Sequence, residues 1–352
     1  MRSIFSKRTN HWANWDRLGP TLIIKTHIVS IVLFLLPIHL LFIKIKNYLY
    51  DKNIVSPTKV DATVISVGNI SLGGAGKTPF TIALSNFLAQ RGKSVGVLTR
   101  GYGRKSGGDF LLKNHSVEEA GDETIVLKNN LSKSIPIYVS KNKILGANAL
   151  ASLGCEIIIL DDAFQHRKIY RDIDVVLVNP DELQEKNKKT FPWGLLREPF
   201  YNIDRADIII TNKTNLYKES SPLKNSLSIN TEFENEALSS NGRITINQLS
   251  GLKNVMSICG IGKPESFQKS LSGLNIGVVE NLIYPDHHSF SKKDVSNIKL
   301  NIEKYKIDAI VCTEKDWVKL VDFKEEIGIP IYAVRINHHL KKDIQDAVLC
   351  LL

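Results

Sequence analysis

The segment VISVGNISLGGAGKTPF (residues 64–80) decides the fold of this chain. It starts with an alternating run of β-branched residues, passes through a glycine-rich stretch at residues 73–76, and reaches Gly-Lys-Thr before a helix-like segment. A strand, a glycine-rich turn and a helix start follow one another in a phosphate-binding loop, where backbone N–H groups and the helix N-terminus face the phosphates. The pattern therefore predicts a nucleotide-binding α/β fold.

The residues of this loop have distinct expected roles. Lys77 is expected to reach the β- and γ-phosphates, and the Thr78 hydroxyl is expected to bind Mg²⁺. The strict form of the motif has a glycine where this chain has Ser71, so the match is incomplete at one position. The residues predicted to bind the nucleotide are Gly73, Gly74, Ala75, Gly76, Lys77 and Thr78.

Composition places the chain among ordinary globular proteins. Its 352 residues suffice for two domains, and 43% hydrophobic with 23% charged residues is not the composition of a disordered chain. The net charge of +10 is dispersed, without the clustered basic stripe and interleaved aromatics that nucleic acid binding requires. An anionic membrane surface or a phosphorylated substrate explains the excess equally well. The scattered cysteines show no zinc spacing and are expected to be free thiols in a reducing compartment.

An apolar segment, LIIKTHIVSIVLFLLPIHLLFI, occupies residues 22–43 and is followed by Lys44 and Lys46. A spanning helix needs about 20 consecutive apolar residues, and Lys25 is one of several polar interruptions here. The segment could span a membrane with Lys25 snorkelling, lie in the interface as a monotopic anchor, or form a buried helix of a soluble protein. Membrane association is the favoured interpretation, and positive charge on both flanks leaves the orientation open.

Two later apolar runs end in groups that suit phosphate and metal chemistry. The run at 93–98 leads into TRGYGR (99–104), where Arg100 could pair with phosphates, although a solvated turn would look the same. The run at 156–160 leads into Asp161 and Asp162, as in a Walker-B strand that carries a carboxylate to Mg²⁺. Because ligands bind at the carboxyl ends of parallel strands, both groups are expected near the phosphate loop.

The sequence Asn-Lys-Thr-Asn at 212–215 bears on the choice of nucleotide. It resembles the guanine-reading Asn-Lys-x-Asp element, but Asn215 replaces the carboxylate that would bind N1–H and the N2 amine of guanine. This difference favours ATP over GTP.

Strand-like and helix-like segments alternate in both halves of the chain, which predicts doubly wound parallel sheets. The predicted fold is a P-loop NTPase-type α/β sheet with a second, smaller α/β domain and an N-terminal membrane-associated helix. The predicted segments are 1–50 (membrane-associated helix), 51–215 (P-loop kinase domain), 216–245 (polar linker strands) and 246–352 (smaller α/β domain).

Two classes of function fit these features. One is a phosphotransferase with a lipid acceptor, and the other is a membrane-associated P-loop ATPase or GTPase switch. Switch ATPases of the deviant type have a signature lysine at the position of Leu72, and the incomplete guanine element argues against a GTPase. A kinase also needs a base for the acceptor hydroxyl, for which carboxylates and His287 are available.

Seven motifs occur in one order along nearly the whole chain: SVGNISLGGAGKTP (66–79), TRGYGRKSGG (99–108), GDE (121–123), LDDAFQHR (160–167), LREP (196–199), YPDHHSF (284–290) and TEKD (313–316). In these motifs the chain resembles the tetraacyldisaccharide 4'-kinase family of the lipid A pathway. That family uses a GN-x-x-x-GG-x-GKT loop, so Ser71 is no defect. Ala163 stands where the family often has glycine, and Thr124 where it often has proline; neither change removes a reactive group.

The resemblance implies transfer of a phosphoryl group from ATP, with Mg²⁺, to the 4'-hydroxyl of a tetraacylated glucosamine disaccharide 1-phosphate. It implies work at the cytoplasmic face of the inner membrane, without an obligate protein partner and without nucleic acid. Asp122 would be the general base, tuned by His287, and Lys77 would hold the γ-phosphate. Because Asp122 and His287 fall in different halves of the chain, productive geometry is expected to require domain closure around the substrate.

The resemblance also implies the remaining site residues. The predicted metal ligands or their supports are Thr78, Asp161, Asp162 and Glu198, and the predicted substrate-binding residues are Arg100, Tyr102, Glu123 and Arg197.

Overall fold

A computed structural model describes residues 40–184, 188–191, 193–215, 223–240 and 242–352. The chain forms two compact units, Met1–Ser56 and Pro57–Leu352. In the first unit, the described residues include a helical stretch at 40–51, labelled α1. Most of the apolar segment predicted to associate with a membrane lies outside the described residues. Within the described ranges, no helix is long and apolar enough to cross a membrane.

Among the described residues, the larger sheet of the second unit has eight strands: β1 (Thr63–Asn69), β2 (Val95–Thr99), β3 (Phe110–Leu111), β4 (Ile137–Val139), β5 (Ile157–Asp161), β6 (Ile173–Val178), β7 (Ile208–Asn212) and β8 (Leu227–Ile229). Their order is β3-β4-β2-β5-β1-β6-β7-β8, and every pair is parallel except β3 with β4. Strands β2, β5 and β6 are buried throughout, as expected for parallel strands with both faces covered. The predicted doubly wound parallel sheet is confirmed.

The helices of the second unit are α2 (Lys77–Gln90), α3 (Val117–Ala120), α4 (Asp122–Asn130), α5 (Lys143–Ser152), α6 (Ile246–Ser250), α7 (Pro264–Gly273), α8 (Lys292–Tyr305), α9 (Glu314–Leu320), α10 (Lys324–Ile327) and α11 (Lys342–Leu351). Local sequence sets several of their starts. The Asn142 side chain accepts hydrogen bonds from two backbone N–H groups of the first turn of α5, and Ser291 forms a capping box with Asp294 at α8.

Apolar residues cover both faces of the larger sheet. On one face, Phe80 and Leu84 of α2 are buried in a cluster with Ile65 and Ile159 of the central strands. On the other face, Leu150 of α5 belongs to a second cluster with neighbouring strand residues. Strand β1 lies inside the sheet, between β5 and β6. The loop that follows it therefore lies at the carboxyl edge of the sheet, where ligands bind in folds of this kind.

In the part of the chain that the structure describes, the second sheet has six strands: β10 (Glu236–Ser239), β11 (Gly242–Thr245), β12 (Val255–Cys259), β13 (Val278–Ile283), β14 (Ala309–Thr313) and β15 (Ile331–Val334). Their order is β11-β10-β15-β14-β12-β13. Strands β12 to β15 pair in parallel, whereas β10 is antiparallel to both of its neighbours. A separate antiparallel pair joins β9 (Glu232–Phe233) to β16 (Ile336–Asn337).

The polar segment 216–245 contributes strands to both sheets, because β8 extends the larger sheet and β10 and β11 edge the smaller one. Helix α11 follows the second sheet in the chain, but its Ile344 and Val348 are buried in the same cluster as Phe80 of α2. Residues 57–352 form one compact unit. The predicted division into segments 51–215, 216–245 and 246–352 stays a prediction.

Candidate functional site

The phosphate loop lies between β1 and α2, at the carboxyl edge of the larger sheet. Gly76 immediately precedes α2 and has a left-handed backbone, with φ at 80°. A Cβ at this position would collide with the amide of Asn212, so both the conformation and the space require glycine. None of the described side chains caps this helix start. Its N–H groups therefore remain available to an anion, as a phosphate loop needs.

Lys77 lies between two acceptors at the floor of this loop. Its Nζ is 3.2 Å from Oδ1 of Asn69 and 3.5 Å from Oδ1 of Asp162. Asn69 also donates to the backbone carbonyl of Ser71 at 2.9 Å, which holds the loop in shape. The lysine predicted to bind the γ-phosphate is thus positioned beside a predicted metal-binding carboxylate.

Ser71 has its own structural role. Its hydroxyl donates to Oε1 of Glu182 at 2.8 Å, and Asn179 donates to the same carboxylate oxygen at 2.8 Å. Glu182 is buried, and Lys263, which precedes α7, lies 3.5 Å from it and 2.9 Å from Asp181. The serine therefore anchors the phosphate loop to a buried polar network, which explains why the strict glycine is unnecessary here.

The Asn-Lys pair that resembles a guanine element contacts the phosphate loop. Asn212 donates to the carbonyl of Ala75 at 2.8 Å, and the Nζ of Lys213 donates to the carbonyl of Gly74 at 2.9 Å. Burial and the nearby charge of Lys263 lower the pKa of Lys213 to about 8. These two hydrogen bonds hold the backbone of the phosphate loop in place, a role that the sequence pattern did not predict.

His338 packs against the same part of the loop. Its Cε1 would lie 3.1 Å from a Cβ at Gly76, and neither ring nitrogen has a hydrogen-bond partner among the described residues. Burial, together with the charge of Lys213, lowers the pKa of His338 to about 3. The imidazole is therefore neutral at any pH near neutrality.

The carboxylates at the end of β5 occupy two different environments. Asp161 accepts from the Thr81 hydroxyl at 3.3 Å, and burial together with the charges of Glu123 and Asp162 raises its pKa to about 7. Asp162 has a left-handed backbone, with φ at 49°, and pairs with Arg197 at 2.9 Å. Asp161 is thus a buried carboxyl beside two other carboxylates, an environment that suits a divalent cation.

Glu198 is surrounded by donors of its own. Arg205 approaches both of its carboxylate oxygens, at 3.0 and 2.9 Å, and Asn202 donates to Oε2 at 2.9 Å. Gln165 links Glu198 to the backbone carbonyl of Asn69 in the phosphate-loop strand. These contacts neutralise the predicted metal-binding carboxylate and tie it to the loop through Gln165.

Asp122 and His287 are in contact. Asp122 begins α4 directly after Gly121, whose left-handed backbone (φ 90°) leaves no room for a side chain beside the carbonyl of Tyr102. Nδ1 of His287 lies 3.0 Å from Oδ1 and 3.1 Å from Oδ2 of Asp122. The two residues therefore contact each other although they come from different halves of the chain. The expectation that productive geometry requires domain closure around the substrate stays a prediction.

The charges around Asp122 favour its ionised form. Burial alone would raise the pKa of Asp122, but the hydrogen bond with His287 and the charges of Lys315 and Lys319 outweigh it, and the pKa lies below its usual value. Lys319 of α9 is 3.4 Å from Oδ2 of Asp122. The carboxylate is therefore ready to accept a proton at neutral pH.

The predicted substrate-binding residues line the same region. Arg100 is exposed just after β2, and Tyr102 is 59% exposed with its ring centroid 4.5 Å from that of His287. Glu123 pairs with Lys315 at 3.3 Å, whereas Arg197 pairs with Asp162. Lys315 belongs to the TEKD motif, but its contacts depend on α9 packing against α4, which the motif alone does not predict.

The described residues contain no group of three or more His, Cys, Asp or Glu side chains arranged to hold a metal ion. Mg²⁺ is usually bound by one or two carboxylates, with waters and substrate phosphates completing its coordination. Oxygen donors from Thr78, Asp161 and Asp162 fit that mode, and burial beside Glu123 and Asp162 raises the pKa of Asp161. The donor set therefore suits Mg²⁺ bound together with a nucleotide.

Comparison with known proteins identifies the family. The model of the LpxK family, described as tetraacyldisaccharide-1-P 4'-kinase, matches residues 31–352. The chain belongs to the tetraacyldisaccharide-1-P 4'-kinase family. Among its relatives, the tetraacyldisaccharide 4'-kinase of Syntrophus aciditrophicus is 33% identical over 327 residues, covering 84% of this chain and 85% of the relative. That of Halothermothrix orenii is 31% identical over 373 residues and covers 95% of each chain.

A solved structure agrees with this assignment. The crystal structure of LpxK from Aquifex aeolicus, titled an "apo" form in complex with ATP, superposes with a TM-score of 0.70 at 29% identity, covering 90% of this chain and 98% of that one. The family resemblance, the α/β fold and the kinase class predicted from the motifs are confirmed. The comparisons support a tetraacyldisaccharide 4'-kinase and give no support to the ATPase switch.

Proposed function

We propose that this chain transfers the γ-phosphoryl group of ATP to the 4'-hydroxyl of tetraacylated glucosamine disaccharide 1-phosphate in lipid A biosynthesis. Family membership supports this reaction. The observation that carries the mechanism is the 3.0 Å contact between Asp122 and His287 within the compact unit that also holds the phosphate loop.

The general base of this proposal is Asp122. Its low pKa keeps it ionised, so it can accept the hydroxyl proton as the oxygen attacks the γ-phosphorus. A strong base is not required, because phosphoryl transfer passes through a loose transition state in which alignment and charge matter more than proton abstraction. His287 orients the carboxylate, and Tyr102 packs beside the imidazole at the side open to solvent.

The nucleotide is ATP, and its phosphates would bind to residues 73–78. The ammonium of Lys77 would neutralise charge on the γ-phosphate and stay close to Asp162. Thr78, Asp161 and Asp162 would hold Mg²⁺, which supplies positive charge to the transferring group when it is bound. Arg197 would orient Asp162, and Glu198 would support the loop through Gln165. Arg100 and Glu123 would contact the acceptor.

We also propose that the protein works at the cytoplasmic face of the inner membrane. An acylated acceptor is part of the proposed reaction, and the described part of α1 supports membrane contact. Its apolar side chains Leu41, Phe42, Ile45 and Tyr48 are each about half exposed or more, and they recur at helical spacing.

The decisive test is a phosphotransfer assay with ATP, Mg²⁺ and purified tetraacylated disaccharide 1-phosphate. Formation of the 4'-phosphorylated lipid is expected at the rate of ADP release. ADP release without lipid phosphorylation would contradict the proposal and favour the ATPase switch.

A further inference from the structure

The ammonium group of Lys315 contacts three different acceptors. Its Nζ lies 2.9 Å from Oδ1 of Asp286, 3.3 Å from Oε1 of Glu123 and 3.0 Å from Nε2 of His287. Burial alone would lower the pKa of Lys315, but the charges of Glu123, Asp122 and Asp286 outweigh this effect and raise it. Lys315 is therefore a cation whose three N–H groups point at three different acceptors.

This arrangement decides which nitrogen of His287 carries a proton. An ammonium group can only donate hydrogen bonds, so Nε2 of His287 must accept with its lone pair. The ring is then neutral, and its single N–H lies on Nδ1, 3.0 Å from the Asp122 carboxylate. A proton on Nε2 would instead face the ammonium group of Lys315.

We propose that Lys315 is a positioning residue that fixes His287 as the neutral Nδ1–H tautomer, so that His287 donates to Asp122 and never competes with it for the acceptor's proton. This inference rests on the proposed kinase function. His287 then orients an ionised base, and the proton taken from the substrate stays on Asp122 until product leaves. Lys315 acts through His287 rather than on the substrate.

The other charges around His287 show why a cation is needed at this place. Carboxylate oxygens of Glu123 and Asp286 each lie 3.9 Å from Nε2 of His287, and Asp122 faces Nδ1. Lys319 reaches Asp122 but contacts the carboxylate rather than the imidazole. Without Lys315, three carboxylates would surround the ring and favour the imidazolium form. An imidazolium paired with Asp122 would make that carboxylate a weaker base.

The test compares Lys315→Met, Lys315→Arg and the control Arg335→Met in the full-length protein. Arg335 pairs with Glu314 of α9 and donates to Asn130 of α4, so its loss loosens the same helix contact without touching His287. The ¹⁵N shifts of the His287 ring report its tautomer, and the signal is assigned by its loss in His287→Gln. The pH profile of kcat and the KM for ATP complete the comparison.

In the wild type and in Lys315→Arg, His287 should show the Nδ1–H signature at pH 7. In Lys315→Met the ring should become largely imidazolium at pH 7. Because the reaction needs the neutral ring, the acid limb of the kcat profile should move to higher pH by about one unit, and the KM for ATP should stay unchanged. Arg335→Met should lower Tm without moving the limb or the tautomer. An unchanged tautomer in Lys315→Met, or an equal loss of kcat at every pH, would overturn the proposal. The ring signals need no turnover, so a chain without phosphotransfer activity would contradict the proposed function alone.

Discussion

Nδ1 of His287 lies 3.0 Å from Oδ1 of Asp122, although the two residues are 165 positions apart in the chain. Asp122 starts α4, which packs against the larger sheet, and His287 follows β13 of the smaller sheet. A contact of this kind exists only when both sheets pack in one arrangement. The contact between Asp122 and His287 therefore depends on how the two sheets pack together, and so does the proposed base.

Replacing either member of this pair should remove most of the activity. We expect Asp122→Asn and His287→Ala each to lower kcat by about 10²-fold or more, because the acceptor hydroxyl loses its base or the base loses its orientation. ATP binding, measured by calorimetry, should stay within about twofold of the wild type. Near-wild-type turnover at saturating substrates would show that the assigned role is wrong.

Restoring the strict glycine of the phosphate loop should harm the protein. Ser71→Gly removes the hydroxyl that donates to the buried Glu182, and a hydrogen bond to a charged group contributes about 1.5–3 kcal/mol to stability. We expect a lower Tm and a higher KM for ATP. Ser71→Thr keeps the hydroxyl and serves as the control. A more stable Ser71→Gly variant would contradict the anchoring role of this serine.

Glu198 should act through its ion pair with Arg205. Glu198→Ala leaves the guanidinium half-buried and unpaired, and the expected loss of stability is about 3–5 kcal/mol. The Mg²⁺ concentration for half-maximal activity should stay unchanged in the folded variant at low temperature. A large rise in that concentration without loss of Tm would instead identify Glu198 as a metal ligand.

His338 should make the protein sensitive to mild acid. Its pKa is about 3 in the folded protein and near 6.5 in the unfolded chain, so only the unfolded chain gains this proton between those values. Stability from the neutral imidazole is fully present above pH 6.5 and falls by about 1.4 kcal/mol per pH unit below it. Urea unfolding between pH 7 and 5 should show a shallower slope for His338→Gln than for the wild type. The exposed neighbour His339 provides the control, and an equal change of slope in His339→Gln would refute the assignment to His338.

The apolar face of α1 should contribute to membrane binding. Phe42→Ser with Ile45→Ser removes two exposed apolar side chains, and flotation with vesicles containing anionic lipids should recover less protein. Leu300→Ser on α8 removes an equally exposed leucine and should leave flotation unchanged. Equal recovery of all variants would argue against a role for this face.

Local patterns predicted much of the fold and the site. The glycine-rich segment and the apolar runs before Thr99 and Asp161 gave the central strands, because their signals lie within a few residues. The pairing of Asp122 with His287 came from resemblance to a family, since no local rule joins positions so distant. The partners of Ser71 and Lys315 were not predicted, because each contact crosses from one chain segment to another and only packing reveals it.

The position of α11 bears on how the protein is made. Its Ile344 and Val348 fill the same core as Phe80 and Leu84, directly behind the phosphate loop. During synthesis, part of the core of the nucleotide-binding sheet stays exposed until these residues have left the ribosome. Nascent chains that stop earlier would offer that apolar surface to chaperones and proteases. A product that lacks α11 would therefore be exposed to degradation even if the rest of its sequence were intact.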